Sequence, residues 1–138
     1  MPKSKLNHKC PIDYALEVFG DRWTLLVLRD LMLSGKRYYR ELMTSKEGIA
    51  TNILASRLRK MEADGLIIRK QNPEDKRQIF YELTEKSLDL IPILLEISRW
   101  SVIYDKDTAA PPELMRRFND EPQQLITELK EAARTRQT

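Results

Sequence analysis

The sequence holds a single cysteine and a single histidine, and it lacks any long apolar run. One cysteine cannot form an intramolecular disulfide, and Cys10 with His8 alone cannot complete a structural zinc site. No stretch of about 18 apolar residues occurs, so we expect no transmembrane helix. No apolar segment follows the basic amino terminus as a signal peptide would require, so we expect a cytoplasmic protein.

Glycine is also scarce, with four isolated residues and no glycine-rich loop. The sequence therefore contains no nucleotide-binding fingerprint, and it also lacks the nucleophile-elbow and zinc-protease motifs. No catalytic groups pair at an interpretable spacing, and a lone cysteine without a second histidine is a poor nucleophile site. We expect neither enzymatic activity nor a bound cofactor or metal.

Positive charge is concentrated in the middle of the chain. Residues 35–80 contain eleven Lys and Arg against six Asp and Glu, whereas residues 84–138 contain eight against ten. A basic segment is what a nucleic-acid-binding surface requires. On charge alone, an ordinary solvated surface explains the pattern equally well.

Helical periodicity predicts helices over residues 11–19 and about 22–33, then a short helix over 37–43 and a longer one over about 50–64. The apolar stripe of the longer helix consists of Ile49, Ile53, Leu54, Leu58 and Met61. A short link containing glycine joins the last two helices, and the second of them carries polar and basic residues. This pattern is typical of a helix-turn-helix.

The period of the pattern then changes from helix to strand. Residues 66–71 and 78–83 are rich in β-forming residues, and Ile79, Tyr81 and Leu83 alternate onto one face. A polar turn with a proline, residues 72–77, joins the two segments. A β-hairpin directly after a helix-turn-helix is predicted, and such a hairpin is a wing.

Thr84 is predicted to cap one long helix that reaches about Tyr104 and is kinked at Pro92. Its apolar residues cover more than one face, so a second copy of the chain is predicted to pack against it. Further helices are predicted over 113–118 and 122–133, and residues 134–138 are predicted to fray. We divide the chain into a basic amino-terminal arm (1–9), a winged domain with dimerisation helices (10–104) and a carboxyl-terminal helical extension (105–138).

Short motifs follow one another from residue 10 to about residue 101. They are Cys10-Pro11, GDRWTLLVLR over 20–29, RYYREL over 37–42, Gly48-Ile49, Leu54, RLRKME over 57–62, DGLI over 64–67, YELT over 81–84 and PIL over 92–94. In this order and spacing the chain resembles the HxlR-type winged helix-turn-helix regulators. Ser87 stands where that family usually has glycine, and the tail beyond about residue 105 carries no assigned motif.

The resemblance and the periodicity together imply a mainly α (α+β) fold. This fold is a winged helix-turn-helix with a two-stranded β-hairpin wing and additional N- and C-terminal dimerisation helices. The resemblance further implies a homodimer that binds palindromic, double-stranded operator DNA and regulates transcription.

The longer helix of the motif is the predicted recognition helix, which turns its solvent face and first turn toward the major groove. Since Leu54, Leu58 and Met61 face the core, a rotation of about 100° per residue defines the opposite, solvent face. The predicted DNA contacts on this helix are Thr51, Asn52, Ser56, Arg57 and Arg59. For Arg57 a phosphate contact or an intramolecular ion pair is as good an interpretation as base readout, and for Lys60 the alternative is a solvated side chain.

Basic residues that flank the turn of the wing are predicted to reach backbone phosphate or the minor groove. These predicted wing contacts are Arg69, Lys70, Lys76 and Arg77. Glu74 and Asp75 at the tip weaken this prediction, because their charge repels phosphate. The predicted phosphate anchors at the start of the first helix of the motif are Arg37, Tyr38 and Arg40.

Cys10 is a candidate redox or electrophile sensor, because it lies at a helix start beside His8 and Lys9, an arrangement that activates thiols. In the resembled family a cysteine at this place recurs, and some members use it as a thiol switch. The alternative is a small packed residue with no redox role. Trp23 and Trp100 are candidates for an effector pocket or a dimer contact, with buried aromatic packing as the alternative for each.

We predict a sequence-specific, DNA-binding transcriptional regulator that a thiol-reactive or small-molecule signal switches by altering the spacing of its two half-site contacts. The alternative is a winged-helix module for protein–protein assembly that makes no contact with DNA. Such a module would be expected to have a neutral or acidic recognition helix, and Arg57, Arg59 and Lys60 argue against it.

Overall fold

The computed structural model describes residues 10–136, so the predicted basic arm (1–9) and the last two residues lie outside the described part. In chain order the elements are α1 (Pro11–Phe19), α2 (Arg22–Met32), α3 (Tyr39–Leu42), α4 (Thr51–Ala63), β1 (Ile67–Asn72), β2 (Asp75–Leu83), α5 (Glu85–Leu88), α6 (Ile91–Tyr104), α7 (Pro112–Asp120) and α8 (Pro122–Arg136). None of these helices has the length and apolar character needed to span a bilayer.

The first two helices begin where the sequence supplies a start signal. Pro11 occupies the first turn of α1, where its missing N–H costs nothing. Asp21 caps α2, because its Oδ2 atom accepts hydrogen bonds from the backbone N (2.8 Å) and Oγ1 (2.9 Å) of Thr24. α2 then buries Val27, Leu28 and, one turn later, further apolar side chains, so it contributes extensively to the core.

The helix-turn-helix consists of α3, the link and α4. The predicted stripe of α4 is buried, since Leu54, Leu58 and Met61 all belong to the core that this helix forms with α2. Gly48 in the link has a φ of 70°, a left-handed conformation that glycine adopts without steric cost. The exposed face of α4 is therefore determined by the packing of its buried face.

The wing is an antiparallel hairpin in which Ile67 pairs with Leu83 and Gln71 pairs with Ile79. This sheet, together with the helices, confirms the predicted winged-helix fold. The prediction of a six-residue turn is wrong, because β2 already begins at Asp75. Lys76 and Arg77 therefore belong to β2, where they lie in a register shift between the pairs Asn72–Asp75 and Gln71–Ile79.

The start of the first motif helix was also placed wrongly. Arg37 and Tyr38 precede α3, since the backbone oxygen of Arg37 accepts a hydrogen bond from the backbone N of Tyr81 at 2.9 Å. Tyr38 forms an isolated antiparallel bridge with Phe80. These two residues therefore lie along the edge of β2, where their contacts with Phe80 and Tyr81 satisfy backbone groups that a longer helix would have engaged.

The predicted long helix with a kink is two helices, α5 and α6. Thr84 caps α5 as predicted, with its hydroxyl accepting a hydrogen bond from the backbone N of Ser87 at 3.3 Å. The chain then turns at Asp89 and Leu90, and Pro92 lies in the first turn of α6. Proline inside a continuous helix would clash with the carbonyl four residues earlier, whereas the first turn of a new helix accepts it.

The carboxyl-terminal extension folds back onto the winged domain. α7 and α8 are both longer than predicted, and they bury Phe118, Leu125 and Ala133. The prediction of fraying is wrong as far as Arg136, because α8 continues to this residue. Its Nη2 atom donates hydrogen bonds to the backbone oxygens of Leu31 (3.3 Å) and Met32 (3.1 Å) at the end of α2.

Candidate nucleic-acid interface

The solvent face of α4 presents polar side chains that have no partner among residues 10–136. Asn52, Ser56 and Arg59 are exposed, and Thr51 occupies the first turn of the helix. Within residues 10–136 no hydrogen bond or ion pair engages the side chain of Arg59. Asparagine and arginine are the residues that read adenine and guanine by paired hydrogen bonds, so this face suits base recognition.

Arg57 differs from its neighbours on α4 because it forms an ion pair. Its Nε atom lies 2.8 Å from Oδ2 of Asp21, and its Nη2 atom donates a second hydrogen bond to Oδ1 at 3.2 Å. Hydrogen bonding from Arg57 lowers the pKa of Asp21 to about 2, so this carboxylate is charged at neutral pH. Of the interpretations that the sequence left open for Arg57, the intramolecular ion pair is the one formed in this structure.

The four basic residues of the wing are not equivalent. Lys76 and Arg69 are exposed and form no ion pair with a described residue. The Nζ atom of Lys70 lies 3.0 Å from Oε1 of Glu82, and Nε of Arg77 lies 3.0 Å from Oδ1 of Asp75. The hydrogen bonds from Arg77 lower the pKa of Asp75. The charge of Arg77 is therefore balanced within the wing by the carboxylate of Asp75.

An aromatic and cationic stack joins the start of α3 to the wing. The guanidinium of Arg40 lies 4.7 Å from the ring of Tyr38, whose ring centroid lies 5.4 Å from that of Phe80. The guanidinium of Arg37 lies 4.8 Å from the other ring, that of Phe80. Sequence reasoning missed this stack, although the alternation of β2 places Phe80 on the face opposite Ile79. The stack holds Arg37 and Arg40 beside the wing.

A cleft of about 390 Å³ lies between α4 and the wing, and basic side chains from both elements line it. Arg59 of α4 and Arg69 of β1 both line it, together with Tyr81 and Glu62. Burial raises the pKa of Tyr81, which also lines the cleft. The fold thus brings together two predicted contacts that are ten residues apart in the sequence.

An ion-pair network that the sequence did not suggest fixes the link between α3 and α4. Arg29 of α2 binds both carboxylate oxygens of Glu47, at 2.7 and 2.8 Å, and also bonds to the buried Asp30. The hydrogen bonds from Arg29 lower the pKa of Glu47 to about 2 and raise the pKa of Arg29. The link is therefore attached to the central helix through charged groups.

The three residues singled out as sensor or effector candidates differ in exposure. Cys10 is exposed at the start of α1, so the alternative of a residue packed within this chain is wrong. Its neighbours His8 and Lys9 lie outside the described residues. Trp23 is partly buried against the core. Trp100 is 66% exposed and contacts Tyr104, so buried packing within the chain is wrong for it.

Helices α1 and α6 each expose large apolar side chains. Those on α1 include Ile12 and Leu16, one turn apart. On α6 the exposed side chains of Ile93, Ile97 and Trp100 follow one another at intervals of three or four residues. This apolar face consists of the residues Ile12, Leu16, Ile93, Ile97, Trp100, Ile103 and Tyr104.

The fold and the exposed polar face of α4 define a winged helix-turn-helix protein of the DNA-binding class. A family model described as HxlR-like helix-turn-helix matches residues 18–108. The chain belongs to this HxlR-like family, and it is a transcriptional regulator rather than an enzyme.

Three known proteins illustrate the similarity. MalR of Fusobacterium mortiferum, named as a regulatory protein, is 35% identical over 96 residues, which are 70% of this chain and 91% of MalR. The crystal structure of PA1607, described as a transcription factor, has a TM-score of 0.69 and 32% identity, and covers 78% of this chain and 75% of PA1607. The redox regulator HypR in its oxidized form has a TM-score of 0.60 and 27% identity, with coverage of 73% and 100%.

Proposed function

We propose that the chain acts as a homodimer on a palindromic operator, with α4 in the major groove and the wing on the flanking backbone. The observation that carries this proposal is the face formed by Asn52, Ser56 and Arg59, whose side chains have no partner among the described residues. Arg57 and Lys60, the other two basic residues of α4, are already engaged by hydrogen bonds within the protein. Because Asn52 and Arg59 can each make paired hydrogen bonds to a base, this face suits the major groove of DNA.

Within this interface the contacts have different roles. Arg69, Lys76 and Arg40 neutralise phosphates, and Arg59 contributes from the α4 side of the cleft. Lys70 and Arg77 bind DNA only in competition with Glu82 and Asp75, so they add less. Arg37 serves mainly as the support of the aromatic stack.

The apolar face of α1 and α6 is the dimer interface. Large exposed apolar side chains are costly in water, and a second copy of the same surface covers them symmetrically. Two α4 helices then reach half-sites about 34 Å apart, one turn of DNA. The tilt of α1 and α6 against the partner consequently determines whether the two α4 helices of the dimer fit their half-sites at the same time.

Cys10 is the switch in this proposal. It is exposed beside the apolar face, and the similar protein HypR is a redox regulator. An oxidant such as diamide takes up two electrons and two protons as two Cys10 thiols of a dimer join in one disulfide. That bond at the starts of the α1 helices changes the half-site spacing.

Fluorescence anisotropy tests the function. The reduced protein is titrated with a labelled duplex from the region upstream of its own gene, beside a random duplex at equal salt. Tighter binding to the upstream duplex supports a sequence-specific regulator. Absence of binding at low salt contradicts it and favours the assembly module.

The switch has a separate test, the replacement Cys10→Ser. We expect diamide to reduce operator binding by the wild-type protein and to leave the variant unchanged, because the serine hydroxyl cannot form the bridge. Non-reducing electrophoresis should show a covalent dimer for the wild type alone. Equal effects of diamide on both proteins would exclude Cys10 as the sensor.

A further inference from the structure

Two polar contacts tie the recognition helix to the junction between α1 and α2. The Nζ atom of Lys60 donates a hydrogen bond to the backbone oxygen of Glu17, near the end of α1, at 2.8 Å. One turn earlier on α4, Arg57 forms its two hydrogen bonds with Asp21, at 2.8 and 3.2 Å. Both ties lie on one side of α4, since Arg57 and Lys60 are three residues apart.

These ties matter because α1 has little apolar attachment of its own. No residue of α1 is fully buried, and Val18 and Phe19 at its end are only partly buried against the core. The orientation of α1 relative to α4 therefore depends strongly on the polar contacts. Asp21 is the central group, because the same carboxylate caps α2 through Thr24 and holds Arg57.

The geometry leaves Arg57 poorly placed for DNA. Its Nε and Nη2 atoms are both engaged by Asp21, so one edge of the guanidinium fork that would bind guanine or phosphate is occupied. Arg59, two residues later, carries no such partner among the described residues and lines the cleft beside the wing. The two arginines of the same helix thus have different tasks.

We infer that Asp21 and Arg57 form a positioning pair that holds the recognition helix at a defined angle to the first helix, and that Arg57 acts on DNA binding through Asp21. This inference rests on the proposed function, because it concerns how α4 meets the operator. It also makes the ion pair the connection between α1, which carries part of the dimer face, and α4.

The replacement Asp21→Asn separates positioning from simple electrostatics. Asparagine caps helices as well as aspartate does, so the cap on α2 is retained while the charge facing Arg57 is lost. Removal of a negative charge near a DNA-binding surface should by itself strengthen binding. We expect operator affinity to weaken instead, by about two- to fivefold, the range that a partly exposed ion pair supports.

The matched control is Glu62→Gln, which removes the same charge from an exposed residue of α4 that has no ion pair with a described residue. This control should bind the operator at least as tightly as the wild type. If Asp21→Asn also binds more tightly, the positioning role is overturned.

The arginine variants give the second readout, the dependence of affinity on salt. One lost phosphate contact lowers the slope of log affinity against log salt by about 0.9. We expect Arg57→Gln to weaken binding as much as Asp21→Asn without a change in slope, and the double variant to be no weaker than either. Arg59→Gln should lower the slope or the discrimination between duplexes. A fall of about 0.9 for Arg57→Gln would overturn the inference.

Amide hydrogen exchange without DNA makes the test independent of the proposed function. Loss of the pair should speed exchange in both α1 and α4 of Asp21→Asn and Arg57→Gln, while circular dichroism shows that both variants are folded. Unchanged exchange in α1 and α4 would overturn the coupling. If the wild type fails to prefer its operator but exchange behaves as expected, only the proposed function fails.

Discussion

The ion pair between Arg29 and Glu47 predicts a specific pH dependence of stability. Glu47 ordinarily has a pKa of 4.5, and its hydrogen bonds from Arg29 lower this pKa to about 2 in the folded protein. A carboxylate with a lowered pKa stabilises the fold at pH values above 4.5. This stabilisation is lost as the pH falls from 4.5 toward 2, because the unfolded chain then binds the proton first.

The magnitude follows from the exposure of the pair. Each pKa unit corresponds to about 1.4 kcal/mol, so the lowering sets an upper limit of about 3 kcal/mol. The side chains of Arg29 and Glu47 are 29% and 25% exposed, and solvent screening at such sites reduces the value. We therefore expect Glu47→Gln to lower the free energy of unfolding at pH 7 by about 1–2 kcal/mol.

Urea unfolding of wild type and variant between pH 7 and pH 3 measures this difference. The two free energies should converge as the pH falls, because protonated Glu47 resembles glutamine. Glu62→Gln, which removes an exposed carboxylate without an ion-pair partner in the described structure, should remain within about 0.5 kcal/mol of wild type. A difference for Glu47→Gln that stays constant over this pH range would refute the reasoning.

Two further predictions concern the wing and the extension. Lys76→Gln should weaken binding to all duplexes and lower the slope of log affinity against log salt by about 0.9. The control Lys106→Gln, in the loop after α6, should leave this slope unchanged. An unchanged slope for Lys76→Gln would remove the wing from the interface. Arg136→Ala should lower the free energy of unfolding by about 1 kcal/mol, because two carbonyls at the end of α2 lose their donor. Arg116→Ala, whose exposed ion pairs stay within α7, is the control, and equal thermal midpoints for both variants would contradict the bracing role of α8.

Local periodicity was sufficient to predict the solvent face of α4 and the presence of the wing. The stripe of Leu54, Leu58 and Met61 can bury itself only if Asn52 and Ser56 face outward, so the solvent face of α4 follows from helical geometry. The alternation of residues 79–83 likewise predicted the wing. Capping at Thr84 was readable because the cap involves groups only three residues apart.

Contacts between distant residues were decided only by the tertiary structure. Arg57 and Asp21 are 36 residues apart, so helical periodicity offered an ion pair for Arg57 but could not identify Asp21 as its partner. The sequence predicts Arg37 as helical, but its backbone hydrogen bond with Tyr81 holds it beside β2, before the start of α3. The sequence by itself thus determined which faces are buried, because burial follows from the period of apolar residues. The pairing of charges depends on which faces the fold brings together, and therefore only the tertiary structure decided it.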